Sequence, residues 1–203
     1  MKLFVGLGNP GKTYEKTRHN AGCMALETFV YAAEGHSDFF LISREKHMAY
    51  EAVEYEWRRG NAHDAVLCVW PHLFMNRSGE VMRQIVCSHK KMAVSADLVV
   101  LHDDIDIPIG MFKVDKNSSS GGHKGVQNII DQLGTKDFIR FRIGIKPIHA
   151  SRLATEDFVL KKFSKEEEQA LKKVYQTVCG ALMVFLEQGL SGTQNIYNKK
   201  MIS

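Results

Sequence analysis

The chain has 203 residues, 44% hydrophobic and 25% charged, with a formal net charge of +4 and nine histidines. That composition excludes a disordered chain and fits one globular domain burying about 70% of its unfolded surface. No apolar run approaches the roughly 18 residues of a membrane-spanning helix, and the mild basic excess suits a phosphate-bearing partner without requiring one.

Leu3, Phe4 and Val5 read as a buried strand that breaks into a long polar loop containing Gly6, Gly8, Asn9, Pro10 and Gly11, then Thr17, Arg18, His19 and Asn20. Nothing ahead of this strand has the core of a signal peptide, so a cytoplasmic location is expected. Residues 21–33 carry Met24, Leu26, Phe29 and Val30 at near-helical spacing, with Gly35 as the stop. Residues 38–42 and 47–57 predict two strands in succession, the second alternating as an antiparallel strand would. Gly60 and Asn61 signal a turn, and residues 65–70 form a short apolar strand that Pro71 ends.

Residues 74–90 fit a helix with Val81, Met82, Ile85 and Val86 on one side. Residues 98–101 (LVVL) form a continuous apolar run, expected of a central strand covered on both faces, and it leads into His102, Asp103 and Asp104. A strand near 111–115 precedes a flexible serine-glycine loop at 116–122. A short helix at 126–133 closes at Gly134, and residues 138–145 alternate as a strand. Residues 164–189 make the clearest helix, with Ser164 as N-cap, Glu167 at the capping-box position and Gly189 as the stop. Strands and helices interleave, but two early strands are sequence neighbours. The expectation is a single α/β domain over 1–203, with a twisted mixed β-sheet flanked by helices and C-terminal helices at about 164–199 packed on it. Cys23, Cys68, Cys87 and Cys179 show no paired spacing, and they read as buried free thiols of a reducing compartment.

Four constellations could carry chemistry. Gly6, Gly8 and Gly11 formally match a dinucleotide fingerprint, but Pro10 bars a helical conformation at Asn9 and no helix opens within the motif. Glycines serving only a tight turn would explain the spacing but not Asn9. His19 and Asp103 follow separate strands whose ends share one sheet edge if the strands are parallel. A carboxylate bound to one imidazole nitrogen sets the tautomer and raises basicity at the other, which lets the pair deprotonate water and gain roughly 10²–10⁴ in rate. No serine sits in a nucleophile elbow, so water is the expected nucleophile. Asn76 is either a helix N-cap or a donor to a carbonyl or developing oxyanion. Lys113, Lys116, Lys124, Arg140 and Arg142 make a basic set that is either a solvated face or a contact for nucleic-acid phosphates. The scattered histidines show no metal-ligand spacing, and no metal is expected.

The motifs GLGNPG at 6–11, TRHNAG at 17–22, FMNRSG at 74–79, HDDIDIP at 102–108, GGHKG at 121–125 and FRIGI at 141–145 occur in that order. Each is modest alone; their order and spacing over residues 3 to about 160 resemble the bacterial peptidyl-tRNA hydrolase family. The resemblance implies hydrolysis of the ester joining a peptide to the terminal ribose of tRNA, with His19 as general base, Asp103 orienting it, and Asn9 and Asn76 holding the scissile carbonyl region and the water. It implies that Tyr14 and Met75 line the substrate channel and that Lys113 and Arg142 meet the tRNA acceptor stem and 3′ end. It also implies no metal or organic cofactor and a monomer. The family commonly has asparagine where this chain has Lys124, its loop is often richer in glycine than NSSSGG, and Asp115 occupies a stretch that is frequently more basic. Lys124 would then either contact substrate phosphate in place of an amide or leave the activity weakened. The rival reading is a non-catalytic RNA-binding protein on the same scaffold, which would have no need of His19, Asp103 and both amides together.

Overall fold

The computed structural model describes residues 1–147 and 154–198. Seven strands form one sheet: β1 (Lys2–Gly6), β2 (Phe39–Lys46), β3 (Tyr50–Arg59), β4 (Ala62–Pro71), β5 (Leu98–Pro108), β6 (Phe112–Lys116) and β7 (Ile139–Lys146), in the order β2-β3-β4-β1-β5-β7-β6. β4, β1, β5 and β7 run parallel at the centre; β2, β3 and β6 complete the sheet antiparallel. The mixed sheet is the one the sequence predicts.

The apolar pattern explains the layers. Along β1, Phe4 packs with α1 (Ala21–Glu34) and α6 (Lys165–Tyr197) on one face, while Leu3 and Val5 pack on the other with α2 (Ser78–Ser88). β5 repeats the division, with Val99 and Leu101 on the first face and Leu98 and Val100 on the second. A strand covered on both faces must be apolar at every position, and that is why these runs do not alternate. Each such large side chain taken from water contributes roughly 1.5–3 kcal/mol. Two further short helices, α3 (Val94–Asp97) and α5 (Thr155–Val159), had no sequence signal; α4 (Lys124–Leu133) lies beside α2.

Several boundaries differ from the periodicity reading, each for a tertiary reason. The hairpin around Gly60 pairs Arg59 with Ala62 and Tyr50 with Pro71. Pairing register thus draws Ala62 and the polar His63 and Asp64 into β4. β5 continues past residue 101 to Pro108 because β7 pairs with it through Asp104 and again at Pro108. The helix expected over 74–90 is a 3₁₀ turn at Met75–Arg77 followed by α2, so Asn76 is not an N-cap. Gly189 bends the last helix rather than ending it: its φ is 67°, and helical residues resume to Tyr197. Ser164 and Glu167 do form the expected capping box. Residue 199, the expected limit of the C-terminal helices, lies outside the described residues. Cys68 and Cys179 are buried free thiols, but Cys87 is exposed.

The chain leaves β1 for β4 over the α1 face and leaves β4 for β5 over the α2 face, so its direction reverses at β1. Open α/β sheets carry their sites in the crevice at such a reversal, beyond the carboxyl ends of the strands. β1 stops pairing at Gly6, opposite Leu101. Beyond that level β5 projects past its neighbour and carries Asp103 to the open edge.

Candidate active site

Close packing brings the first loop to that edge. A Cβ on Gly22 would lie 2.1 Å from the Leu101 carbonyl oxygen, so only glycine lets the start of α1 press against β5. A Cβ on Gly8 would lie 2.7 Å from Cys23 Sγ and 2.9 Å from Asn20 Cγ. The loop therefore folds back on Asn20, which accepts from the Asn9 backbone N–H (2.9 Å) and donates to the Asn9 carbonyl (3.0 Å). With its backbone clamped, Asn9 accepts at Oδ1 from the Met75 N–H at 2.8 Å, which leaves its amide NH₂ as a donor. The glycines of the dinucleotide-like motif thus serve the placement of an amide. No helix begins among them to receive a pyrophosphate.

At the centre is Asp103, 3% exposed. Its carboxylate meets His19 Nδ1 at 2.9 and 3.1 Å, and its Oδ1 meets His123 Nε2 at 2.9 Å. His123 is the N-cap of α4, and its Nδ1 accepts from the Val126 N–H at 3.2 Å. That bond sets the His123 tautomer: the proton is on Nε2 and donates to Asp103. His19 likewise donates from Nδ1, so Nε2, on the other edge of a ring that lines the cleft, carries the lone pair. Burial alone would raise the Asp103 pKa, but the imidazoles of His19 and His123, by charge and hydrogen bonding, hold it well below the usual carboxylate range. A buried imidazole thus stands on a carboxylate held toward its ionised form.

His19, Asp103 and His123 also bring three ligand atoms within 4.8 Å of one another, the donor count of a catalytic zinc site. The His123 tautomer opposes that use. A metal on Nε2 would displace its proton to Nδ1, where it would face the Val126 N–H donor. Thiol chemistry is equally disfavoured, since burial pushes the Cys23 and Cys68 thiols up.

The cleft beside His19 has a volume of about 660 Å³. Asn9, Met75 and Asn76 line one side, the segment from Asp104 to Asp106 and the loop from Ser120 to Lys124 line the others, and α5 with Leu160 closes it. Of the residues expected at the site, the fold gathers His19, Asp103, Asn9, Asn76, Met75 and Lys124 around this cleft. Tyr14 lies outside its lining and packs edge-on against Phe74, which does border it. Lys113 and Arg142 are register partners on β6 and β7, away from the cleft wall. Arg142 is engaged by Asp104 (2.7 Å) and Asp115 (2.6 Å), so Asp115 has a structural partner. Arg140 is not part of a solvated face. It is 1% exposed and donates to the carbonyls of Ser118 and Ser119, tying down the serine-glycine loop that composition alone marks as flexible. Lys124 reaches across the cleft mouth to Glu156 at 2.8 Å.

Sequence reasoning left two participants without a role. Asn20 clamps Asn9, and His123 fixes the second face of Asp103. The histidine pair has no periodic signature, and histidine is not a residue type that ordinarily marks an N-cap. A third imidazole, His102, packs against His123 with ring centroids 4.8 Å apart. Its Nδ1 donates to the Asp103 carbonyl at 2.7 Å, and its buried Nε2 has no partner among the described residues. Burial, with the neighbouring His123, holds its pKa well below the ordinary 6.5. The unfolded chain therefore binds a proton near pH 6.5 that the native state refuses, so His102 costs stability as pH falls below that value. Thermal melts of the wild type from pH 7.5 to 5.5 are expected to fall with pH. His102→Asn should flatten the dependence by up to about 1.4 kcal/mol per pH unit, and an unchanged slope would rule out a neutral buried imidazole. Asp103, with its lowered pKa, adds its own loss only at lower pH, as it falls below the ordinary 3.8.

Among known proteins, the family model for peptidyl-tRNA hydrolase matches residues 3–203. The peptidyl-tRNA hydrolase of Thermodesulfovibrio yellowstonii is 37% identical over 199 residues, covering 98% of this chain and 100% of that protein. That of Pseudothermotoga lettingae is 34% identical over 202 residues, covering 98% and 97%. Among solved structures, a variant of the Acinetobacter baumannii peptidyl-tRNA hydrolase superposes with a TM-score of 0.82 at 24% identity, covering 100% of this chain and 97% of that one, which shows the shared fold. The motif order, the matched length and the level of identity agree: this chain belongs to the peptidyl-tRNA hydrolase family.

Proposed function

We propose that this protein hydrolyses the ester between a peptide and the terminal ribose of tRNA, with His19 as general base and water as nucleophile. The observation that carries the reading is the Asp103 carboxylate against His19 Nδ1, which leaves the opposite nitrogen basic in a ring bordering the cleft. Nε2 takes a proton as the water oxygen bonds to the ester carbon, and the carbonyl π pair moves onto oxygen. Collapse of that intermediate expels the ribose oxygen, which the imidazolium protonates. Asp103 stabilises the imidazolium charge while His123 keeps the carboxylate in place. The Asn9 NH₂ and the exposed Asn76 amide are the donors for the developing oxyanion or the peptide carbonyl.

The charge layout supports a phosphate-bearing substrate on the β6–β7 side. Lys113 is exposed on edge strand β6 and has no carboxylate partner among the described residues, so it is the preferred contact for the acceptor stem. Arg142 holds two carboxylates already and would have to release one to meet a phosphate. No helix of the described residues is long and apolar enough to cross a membrane; the proposed place of action is the cytoplasm, where peptidyl-tRNA arises, and the proposed working unit is the monomer. A non-catalytic RNA-binding role would leave the burial of an ionised carboxylate under two imidazoles without a return.

The direct test is to incubate the purified protein with N-acetylated and with free aminoacyl-tRNA and follow ester cleavage. The blocked substrate should be cleaved in preference, because only it offers an amide to the site. Equal cleavage of both would exclude peptide recognition, and cleavage of neither would exclude the hydrolase reading.

A further inference from the structure

The residue before the general base is itself buried, yet none of its side-chain partners lines the cleft. Arg18 is 7% exposed and is absent from the cleft lining. Its Nη1 donates to the Lys162 carbonyl at 2.6 Å and its Nη2 to Glu167 Oε2 at 2.7 Å. The guanidinium lies over two rings, 4.5 Å from the centroid of Phe158 and 5.1 Å from that of Phe163. The backbone follows the same path: the Arg18 N–H donates to the Lys161 carbonyl at 3.0 Å, and Thr17 forms an antiparallel bridge with Lys162. Every one of these partners belongs to the end of α5, to the turn that follows it or to the first turn of α6.

That segment is a wall of the site. Thr155, Glu156 and Val159 of α5, with Leu160, line the cleft that His19 borders. The two ends of α5 are held very differently. Near its start, Glu156 meets Lys124 in an exposed ion pair, the kind that water and salt weaken most. At its end, Arg18 supplies a buried two-acceptor fork with aromatic faces beneath it. Glu167 joins this anchor to α6, since the oxygen that takes Arg18 Nη2 also accepts from the Ser164 N–H in the capping box.

We propose that Arg18 is a positioning residue: it fixes α5 at a set distance from the adjacent His19, and so determines how tightly the cleft holds its substrate. The proposal rests on the hydrolase reading above and assigns Arg18 no contact with the reacting atoms. Arginine is required because lysine cannot reach the Lys162 carbonyl and the Glu167 carboxylate at once with two coplanar N–H groups.

The test compares the wild type with Arg18→Lys, Arg18→Met and Phe163→Leu in two measurements. These are hydrogen–deuterium exchange over residues 154–163, and KM and kcat for N-acetylaminoacyl-tRNA. Exchange in that segment should quicken in all three variants. KM should rise by about tenfold in Arg18→Met, less in Arg18→Lys and Phe163→Leu, with kcat held near the wild-type value. Phe163→Leu keeps the hydrogen bonds, so it carries the test if Arg18→Met does not fold. A role in general stability alone would lower the active fraction, giving a reduced apparent kcat at unchanged KM, and that result would overturn the proposal. Unchanged exchange over 154–163 would overturn it as well. If the wild type leaves the ester intact, the hydrolase reading fails first and the role in substrate grip falls with it, an outcome separate from a normal KM in an active variant.

Discussion

His19→Ala is expected to lower the rate of peptidyl-ester cleavage by roughly 10²–10⁴-fold, the usual contribution of a positioned general base. Affinity for tRNA should be nearly unchanged, because His19 is 8% exposed and the exposed lysine proposed for phosphate contact lies on β6. The loss should sit in kcat, since the base acts on water during the chemical step rather than on the bound ester. The substitution also removes one of two imidazole donors from a buried carboxylate, which costs about 1–3 kcal/mol of stability. Single-turnover cleavage well below the melting temperature, paired with a tRNA filter-binding assay, measures both effects. A variant cleaving at a rate near the wild type would remove His19 from the chemistry, while equal losses of binding and cleavage would recast it as a substrate contact.

Asp103→Asn is the more informative change because the geometry dictates how it fails. The carboxylate accepts on Oδ1 from both His19 Nδ1 and His123 Nε2, and on Oδ2 from His19 again at 3.1 Å. His123 cannot exchange its tautomer, since the Val126 N–H occupies its Nδ1. The new amide must therefore turn its oxygen to His123, which leaves its NH₂ against His19. That NH₂, at the Oδ2 place 3.1 Å from His19 Nδ1, opposes the proton there while the amide oxygen at the Oδ1 place still accepts it, so part of the His19 population moves its proton to Nε2, the nitrogen that must be free to take a proton from water. The expected loss in kcat is about 10²–10⁴-fold with little change in overall fold, from the wrong tautomer together with the missing negative charge. A variant retaining most activity would show that Asp103 only packs. Replacing Val126 with proline would remove the N–H that locks His123, and it tests the tautomer argument from the other side.

Much of this was legible in the residues. Continuous apolar runs at 3–5 and 98–101 announced central strands, and the Ser164–Glu167 capping box announced the long helix. Asn9, His19, Asn76 and Asp103 stood out as polar groups where periodicity stops, and motif order tied them together. What could not be read has a common cause. Arg140 and Arg142 have the same spacing, residue type and strand, yet one is buried on loop carbonyls and the other bridges two aspartates. Nothing local distinguishes them, because the difference lies in what β6 and its following loop place opposite each. Lys124 drew notice as an unusual residue, but its partner Glu156 is 32 positions away on a helix with no sequence signal of its own.

The sequence by itself determined the mixed α/β sheet, the strand ends that carry the proposed site and the family, since these depend on local periodicity and on residue identity at fixed spacings. Only the tertiary structure decided which nitrogen of His19 is basic. That choice is made by the Asp103 carboxylate, 84 residues away, which can only accept; His123, 20 residues beyond it, has its own tautomer fixed by the Val126 N–H three residues on. Hydrogen-bond direction is a property of what faces what, and a protonation state at one residue is set by donors that folding delivers from several others.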